Sequence, residues 1–219
     1  LTFTSANWDT PQTATVTGAD DFILDGNQSS TVTITVVDSI SDNDFSGVAD
    51  QTISATTTDD DVAGFTIVQS EATTEVAESG TTDTFTVVLD AEPTSDVVLT
   101  VTSSDPGEAT VTSTLTFTSA NWDTPQTITV TGVNDDLIDG DIVSTVTVVV
   151  DDANSNDDFD AVADQTVSVT TTDDDVAGFT IVESDGSTEV AESGTTDTFT
   201  IVLDAQPTSD VVLTVTSSD

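Results

Sequence analysis

Apolar and polar residues alternate along most of this chain. Residues 84–89 place Phe85, Val87 and Leu89 on one side, and residues 97–102 place Val97, Leu99 and Val101 together. The same period of two runs through residues 65–68, 115–118, 127–131, 145–150 and 166–170. Such a period marks a strand with one buried face. Threonine fills most outward positions; its β-branch favours extended backbone and its hydroxyl keeps that face polar without charge. Gly, Pro, Asp and Asn punctuate the gaps at Ser79-Gly80, Glu92-Pro93, Pro106-Gly107, Asp123 to Pro125 and Asp139-Gly140. Seven short strands in about 114 residues predict an all-β chain folded as a β-sandwich.

The pattern repeats. Residues 1–13 recur from Leu115, residues 59–68 from Asp173, and residues 97–105 from Val211, always at an offset of 114. Of the 105 positions that superpose, 79 are identical. A period this long is a whole domain in tandem rather than one turn of a solenoid. The expected division is the C-terminal part of one unit in residues 1–61, a complete unit in 62–175, and the N-terminal part of a third in 176–219. Two arrangements produce this division: a window of a longer array, or a subunit whose partial units complete one another head to tail, as in strand-complemented polymers.

Composition narrows the chemistry. The 219 residues include no Lys, Arg, His or Cys, and 42 acids give a formal charge of −42. Nucleic acid and anionic membrane surfaces are excluded as partners, because nothing can neutralise phosphate. No run approaches the roughly 18 apolar residues of a spanning helix. Disulfides, zinc or haem ligation, a Ser-His-Asp nucleophile and a P-loop each lack an essential residue. A carboxylate pair is the one catalytic device left, and it would lack positioning Arg, His and Tyr. The chain therefore reads as non-enzymatic. High charge with 35% hydrophobic residues is also a signature of disorder, but the alternation and the repeat argue against it.

Most acids lie in the connections rather than the strands: Asp135, Asp136, Asp139 and Asp141; residues 151–160; and Asp173, Asp174 and Asp175. Six converging carboxylates make fifteen like-charge pairs. At roughly 0.7 kcal/mol each in a water-like medium, they would cost about 10 kcal/mol, comparable with the whole stability of a domain. No side chain here can offset that, so an external cation must. Ligands that are all oxygen, on flexible acidic loops, favour Ca²⁺ over Mg²⁺. The run Asn134 to Asp141 shares an Asp-Gly step with EF-hand loops, but its spacing and the lack of flanking helices exclude that motif. Residues 151–160 offer either a further ion site or a solvated turn. Trp8 and Trp122 precede strands and are expected to pack rather than to serve as carbohydrate platforms.

Several motifs together resemble the Calx-β domain, a calcium-binding sandwich of sodium–calcium exchangers and large bacterial surface proteins. They are Val76-Ala-Glu-Ser-Gly80, Leu115-Thr-Phe-Thr, Gln126-Thr-Ile-Thr-Val-Thr-Gly132, the run from Asn134 to Asp141, and the closing Asp173-Asp-Asp175. The threonine-rich flavour is closer to tandem repeats of giant bacterial adhesins. The resemblance implies Greek-key, immunoglobulin-like sandwiches in a linear array. It also implies calcium ligands at Glu78 and, in the last segment, Glu192. Further ligands would be Asp135 and Asp139, with Asn134 replacing an acid, and Asp173, Asp174 and Asp175. The first segment's counterparts are Asp20, Asp21, Asp25, Asp59, Asp60 and Asp61. The family's longer Ser-Asp-Tyr segment is shortened here to residues 105–108, leaving Asp105 or Glu108 to replace its ligand.

These readings converge on an extracellular structural protein, a calcium-stiffened adhesin stalk or a head-to-tail fibre. Its partners would be neighbouring copies of the repeat. Millimolar extracellular Ca²⁺ suits weak sites, and the absence of Lys and Arg removes trypsin-type cleavage sites. The alternative is a calcium-sensing regulatory module, which would load near micromolar Ca²⁺.

Overall fold

A computed structural model describes residues 1–218; the end of the last segment, Asp219, lies outside the described residues. Thirteen strands form: β1 Gln28–Ile34, β2 Gln51–Thr57, β3 Phe65–Gln69, β4 Thr74–Ala77, β5 Thr82–Leu89, β6 Val97–Ser103, β7 Ala109–Val111, β8 Thr114–Phe117, β9 Gln126–Gly132, β10 Ile142–Val150, β11 Gln165–Thr172, β12 Phe179–Glu183 and β13 Phe199–Leu203. Short 3-10 turns are the only helical elements among the described residues, and no helix there is long and apolar enough to cross a membrane.

Nine of these strands, β3 to β11, build a sandwich. One sheet has the order β4-β11-β10-β6-β8 and the other β3-β5-β9-β7. All pairings within them are antiparallel except β4 with β11. The period of two in the sequence becomes a buried row on each inner face. Phe85, Val87, Ile128 and Val130 come from one sheet, and Val97, Leu99, Phe117, Val146 and Val148 from the other, all fully buried. They form one continuous core. This is the architecture of an immunoglobulin-like β-sandwich.

The sequence pattern anticipates seven of the nine strands. It misses β4 and β7, short segments that border the turn signals at Ser79-Gly80 and Pro106-Gly107. β4 matters most, because its parallel pairing carries Glu78 to the end of β11: the Glu78 amide donates to the Thr172 carbonyl at 3.1 Å. Gly132, the last residue of β9, lies against the same end; a Cβ there would overlap the Ala77 carbonyl. That close approach needs a glycine and sets the following loop beside Glu78.

Strands β1 and β2 pair with each other, as do β12 and β13. Residues 211–216 are not a strand, although their sequence is identical to that of β6 up to Thr102. In the sandwich β6 lies between β8 and β10; among the described residues no such strands pair with residues 211–216, and extended backbone persists as a strand only with ladder partners.

Gly132→Ala is expected to destabilise the chain by at least about 2 kcal/mol in urea unfolding, since main chain must shift to make room. Gly47→Ala, where a Cβ meets only open space, should stay within about 0.5 kcal/mol of the parent.

Candidate metal centre

Four segments meet at one end of the sandwich: the end of β4, the turn between β6 and β7, the loop after β9 and the acidic run after β11. They are tied by backbone. The Val133 amide donates to the Glu108 carbonyl at 2.8 Å, and the Thr171 hydroxyl donates to the same oxygen at 3.3 Å. The Gly140 amide donates to Asp173 Oδ2 at 2.7 Å, closing the loop onto the acidic run. Gly140 has φ +78°, the left-handed turn in which an Asp-Gly step is at ease.

Two carboxylate triads result. Glu78, Asp173 and Asp175 form one; Glu108, Asp135 and Asp139 form the other. Within each, one oxygen per residue lies within 4.8 Å of the others. Glu78 is 1% exposed and Glu108 8%. Glu78 Oε2, Glu108 Oε2 and Asp175 Oδ2 are buried and accept no hydrogen bond. An unpaired buried carboxylate oxygen is costly. Two such oxygens in the first triad and one in the second, each beside further carboxylates, make donor sets suited to a hard divalent cation.

The electrostatics agree. Burial, then the charges of Asp135, Asp173 and Glu108, push the Glu78 carboxyl up to about 7, partly opposed by the Asp174 amide. Burial and the charges of Asp139, Asp135, Asp105 and Asp173 raise Glu108. Asp175 is raised by burial and by Asp173, Asp136, Asp174 and Asp135. Asp173 is lowered, because the amides of Gly140 and Asp175 donate to it. The charges of each triad thus raise the buried carboxyl of the other.

Of the residues singled out by sequence, Glu78, Asp135, Asp139, Asp173 and Asp175 enter the triads. Asp174 is exposed and meets Glu78 through its backbone amide. Asn134 is exposed and turns its side-chain amide to the Asp135 carbonyl at 2.8 Å, outside both triads. Asp20, Asp21, Asp25, Asp59, Asp60 and Asp61 line one cleft in the first segment, with the Gly26 amide on Asp59 Oδ2 at 2.6 Å. No triad forms there among the described residues. Glu192 is exposed and joins no such group. Between the two candidates in residues 105–108, Glu108 points into the site, whereas Asp105 Oδ1 accepts from the Gly107 amide at 3.1 Å and caps a turn.

In residues 151–160 no three carboxylates converge. That loop is held by buried Phe159 and by Asn156, whose amide donates to the Thr94 hydroxyl at 2.7 Å. Trp122 packs on the core and lies 6.0 Å from Phe22, centroid to centroid, whereas Trp8 is 72% exposed.

No protein-family model matches the chain, and no curated protein matches it. Solved structures do. The crystal structure of domains 4 and 5 of the S-layer protein SbsC is similar over 66% of this chain and 58% of that one, at 20% identity and TM-score 0.38. CBD12 from CALX1.2 is similar over 54% and 48%, at 16% identity and TM-score 0.37. The E. coli chaperone DraB is similar over 53% and 59%, at 8% identity and TM-score 0.36. The chain spans less than two thirds of each, and nothing about activity or partner passes from them to it.

With chelator present, acidification is expected to stabilise the fold. Glu78 has a folded-state pKa near 7 against an ordinary value of 4.5, so the native state binds more protons in that window. The melting temperature in EDTA should rise as pH falls from about 8 to about 5.5, as followed by circular dichroism. In saturating Ca²⁺ the same titration should run flat or in the opposite sense.

Proposed function

We propose that this chain is a non-enzymatic structural module of an extracellular, calcium-stiffened stalk or fibre, divided into units at residues 1–61, 62–175 and 176–219. One observation carries the reading. Buried, unpaired oxygens of Glu78, Glu108 and Asp175 sit in two adjacent triads of a chain with no cationic side chain. Bound Ca²⁺ would supply positive charge and multidentate oxygen coordination. Glu78, Asp173 and Asp175 would hold one ion, and Glu108, Asp135 and Asp139 another. Asp21, Asp25, Asp59, Asp61 and Glu192 are the counterparts of these residues in the neighbouring units, and Asp20 and Asp60 those of Asn134 and Asp174.

The place of these residues in the chain supports the structural role. The acidic run leads into the next strand through only Val176, Ala177 and Gly178, as Asp59 to Asp61 does through Val62, Ala63 and Gly64. Each linker is anchored on its far side. The Asp90 amide donates to the Gly64 carbonyl at 3.0 Å, and the Asp204 amide to the Gly178 carbonyl at 3.0 Å. So short and pinned a connection is no free hinge. Cross-linking the loops at that point would leave little freedom between units and would favour an extended array.

The outer segments fit either form of the array, one long chain or a head-to-tail polymer. Phe3, Phe45, Phe179 and Phe199 are 41–58% exposed, while their counterparts Phe117, Phe159, Phe65 and Phe85 are core residues. Neighbouring copies of the repeat, in the same chain or another, would cover these faces.

In millimolar Ca²⁺ the melting temperature should exceed that in EDTA by at least about 5 °C. Glu78→Gln should remove most of that gain while raising the melting temperature in EDTA, because it deletes an unpaired buried charge. A Ca²⁺-independent melting temperature in the parent chain would reject the reading. Loading already complete at micromolar Ca²⁺ would favour the sensor alternative.

A further inference from the structure

The loop that carries Asp135 and Asp139 has a second face. Its counterpart in the first segment, residues 20–26, reaches the sandwich that follows. The Glu92 amide donates to the Phe22 carbonyl at 2.7 Å, and the Leu24 amide donates to the Glu92 carbonyl at 3.0 Å, forming a parallel bridge centred on Ile23. Leu24 packs against the core of that sandwich, and the Phe22 ring lies 6.0 Å from Trp122 at 39°. The contact recurs one repeat later: Leu137 bridges Gln206, whose amide donates to the Asp136 carbonyl at 2.6 Å. The recurrence survives side-chain change, since Phe22 corresponds to Asp136 and Glu92 to Gln206. Backbone, not side-chain identity, defines this joint.

We propose that the acidic loop of each unit is the docking element for the next unit, its backbone seated on the turn at Ala91–Pro93 or Ala205–Pro207. Ion occupancy on one side of the loop is thereby transmitted to the joint on the other. This rests on the calcium reading above. The loop is short, so one segment must serve both sides: Asp135 and Asp139 flank Asp136 and Leu137, which make the bridge. Charge opposes docking when no cation is present. At the first joint Asp25 and Asp59 face Asp158 of the next sandwich across a cavity of about 330 Å³, also lined by Leu24, Gly26 and Thr94. Neutralising the loop removes that repulsion and fixes the backbone that makes the bridge.

Backbone amide hydrogen exchange on the full 219-residue chain tests this, in Ca²⁺, in EDTA, and in EDTA with added NaCl. Ca²⁺ should slow exchange at Leu24, Glu92 and Gln206 by about tenfold or more, and NaCl by less, since screening lowers repulsion without ordering the loop. The double variant Asp135→Asn, Asp139→Asn should lose the Ca²⁺ effect at Gln206 and keep it at Leu24 and Glu92, which belong to the other joint. Leu24→Ser should weaken protection at Glu92 and leave the Ca²⁺-induced thermal shift of the central sandwich in place. If that thermal shift appears but Glu92 and Gln206 exchange equally in Ca²⁺ and EDTA, transmission through the loop is refuted and the metal centre stands. If Ca²⁺ gives neither shift nor protection, both fail.

Discussion

The whole structure is organised around negative charge that the chain cannot offset itself. Forty-two acids and no basic side chain leave every close carboxylate pair uncompensated from within. On strands this is avoided by threonine, which keeps the outer faces polar and neutral. At the end of the sandwich it is not avoided. There Glu78 and Glu108 are buried, with carboxylate oxygens that nothing in the chain satisfies. Burying a charge without a partner runs against the stability of a fold, and these oxygens are where that cost is concentrated.

The sandwich supplies the rigid frame for that site. Its fully buried core of Phe85, Phe117, Leu99, Ile128 and valines fixes the strand ends. Parallel pairing of β4 with β11 places Glu78 beside Asp173, and the close approach at Gly132 aligns the loop that holds Asp135 and Asp139. The triads are thus loop residues whose positions are set by strand register. The same loop, by its backbone, bridges Gln206 in the segment that follows, so the charged site and that contact share one short stretch of chain.

The long strands and the repeat were legible in the sequence because β-branched alternation and a fixed offset are local signals. β4 and β7 were not, because each is a short segment bordering a turn signal, at Ser79-Gly80 and at Pro106-Gly107. Glu78, Asp135, Asp139, Asp173 and Asp175 were legible as acids in connecting loops. Asn134 and Asp174 were named with them, yet one turns its amide to a neighbouring carbonyl and the other is exposed and meets Glu78 only through its backbone. Which acid of residues 105–108 faces the site depends on a turn that Asp105 caps with its own carboxylate, a detail that spacing does not encode. The bridge from the loop to Glu92 or Gln206 is made of main chain, and no side-chain pattern announces it.

The most direct test of the central claim is titration calorimetry of Ca²⁺ into the chain near pH 6.5, in buffers of differing ionisation enthalpy. Glu78, with its carboxyl pushed up to about 7, is then mostly protonated and must release its proton to take a cation. Saturable binding should be accompanied by proton release, which fades as the pH is raised toward 8 and is reduced in Glu78→Gln. Absence of saturable binding, or binding with no proton released at any pH in that range, would contradict the claim.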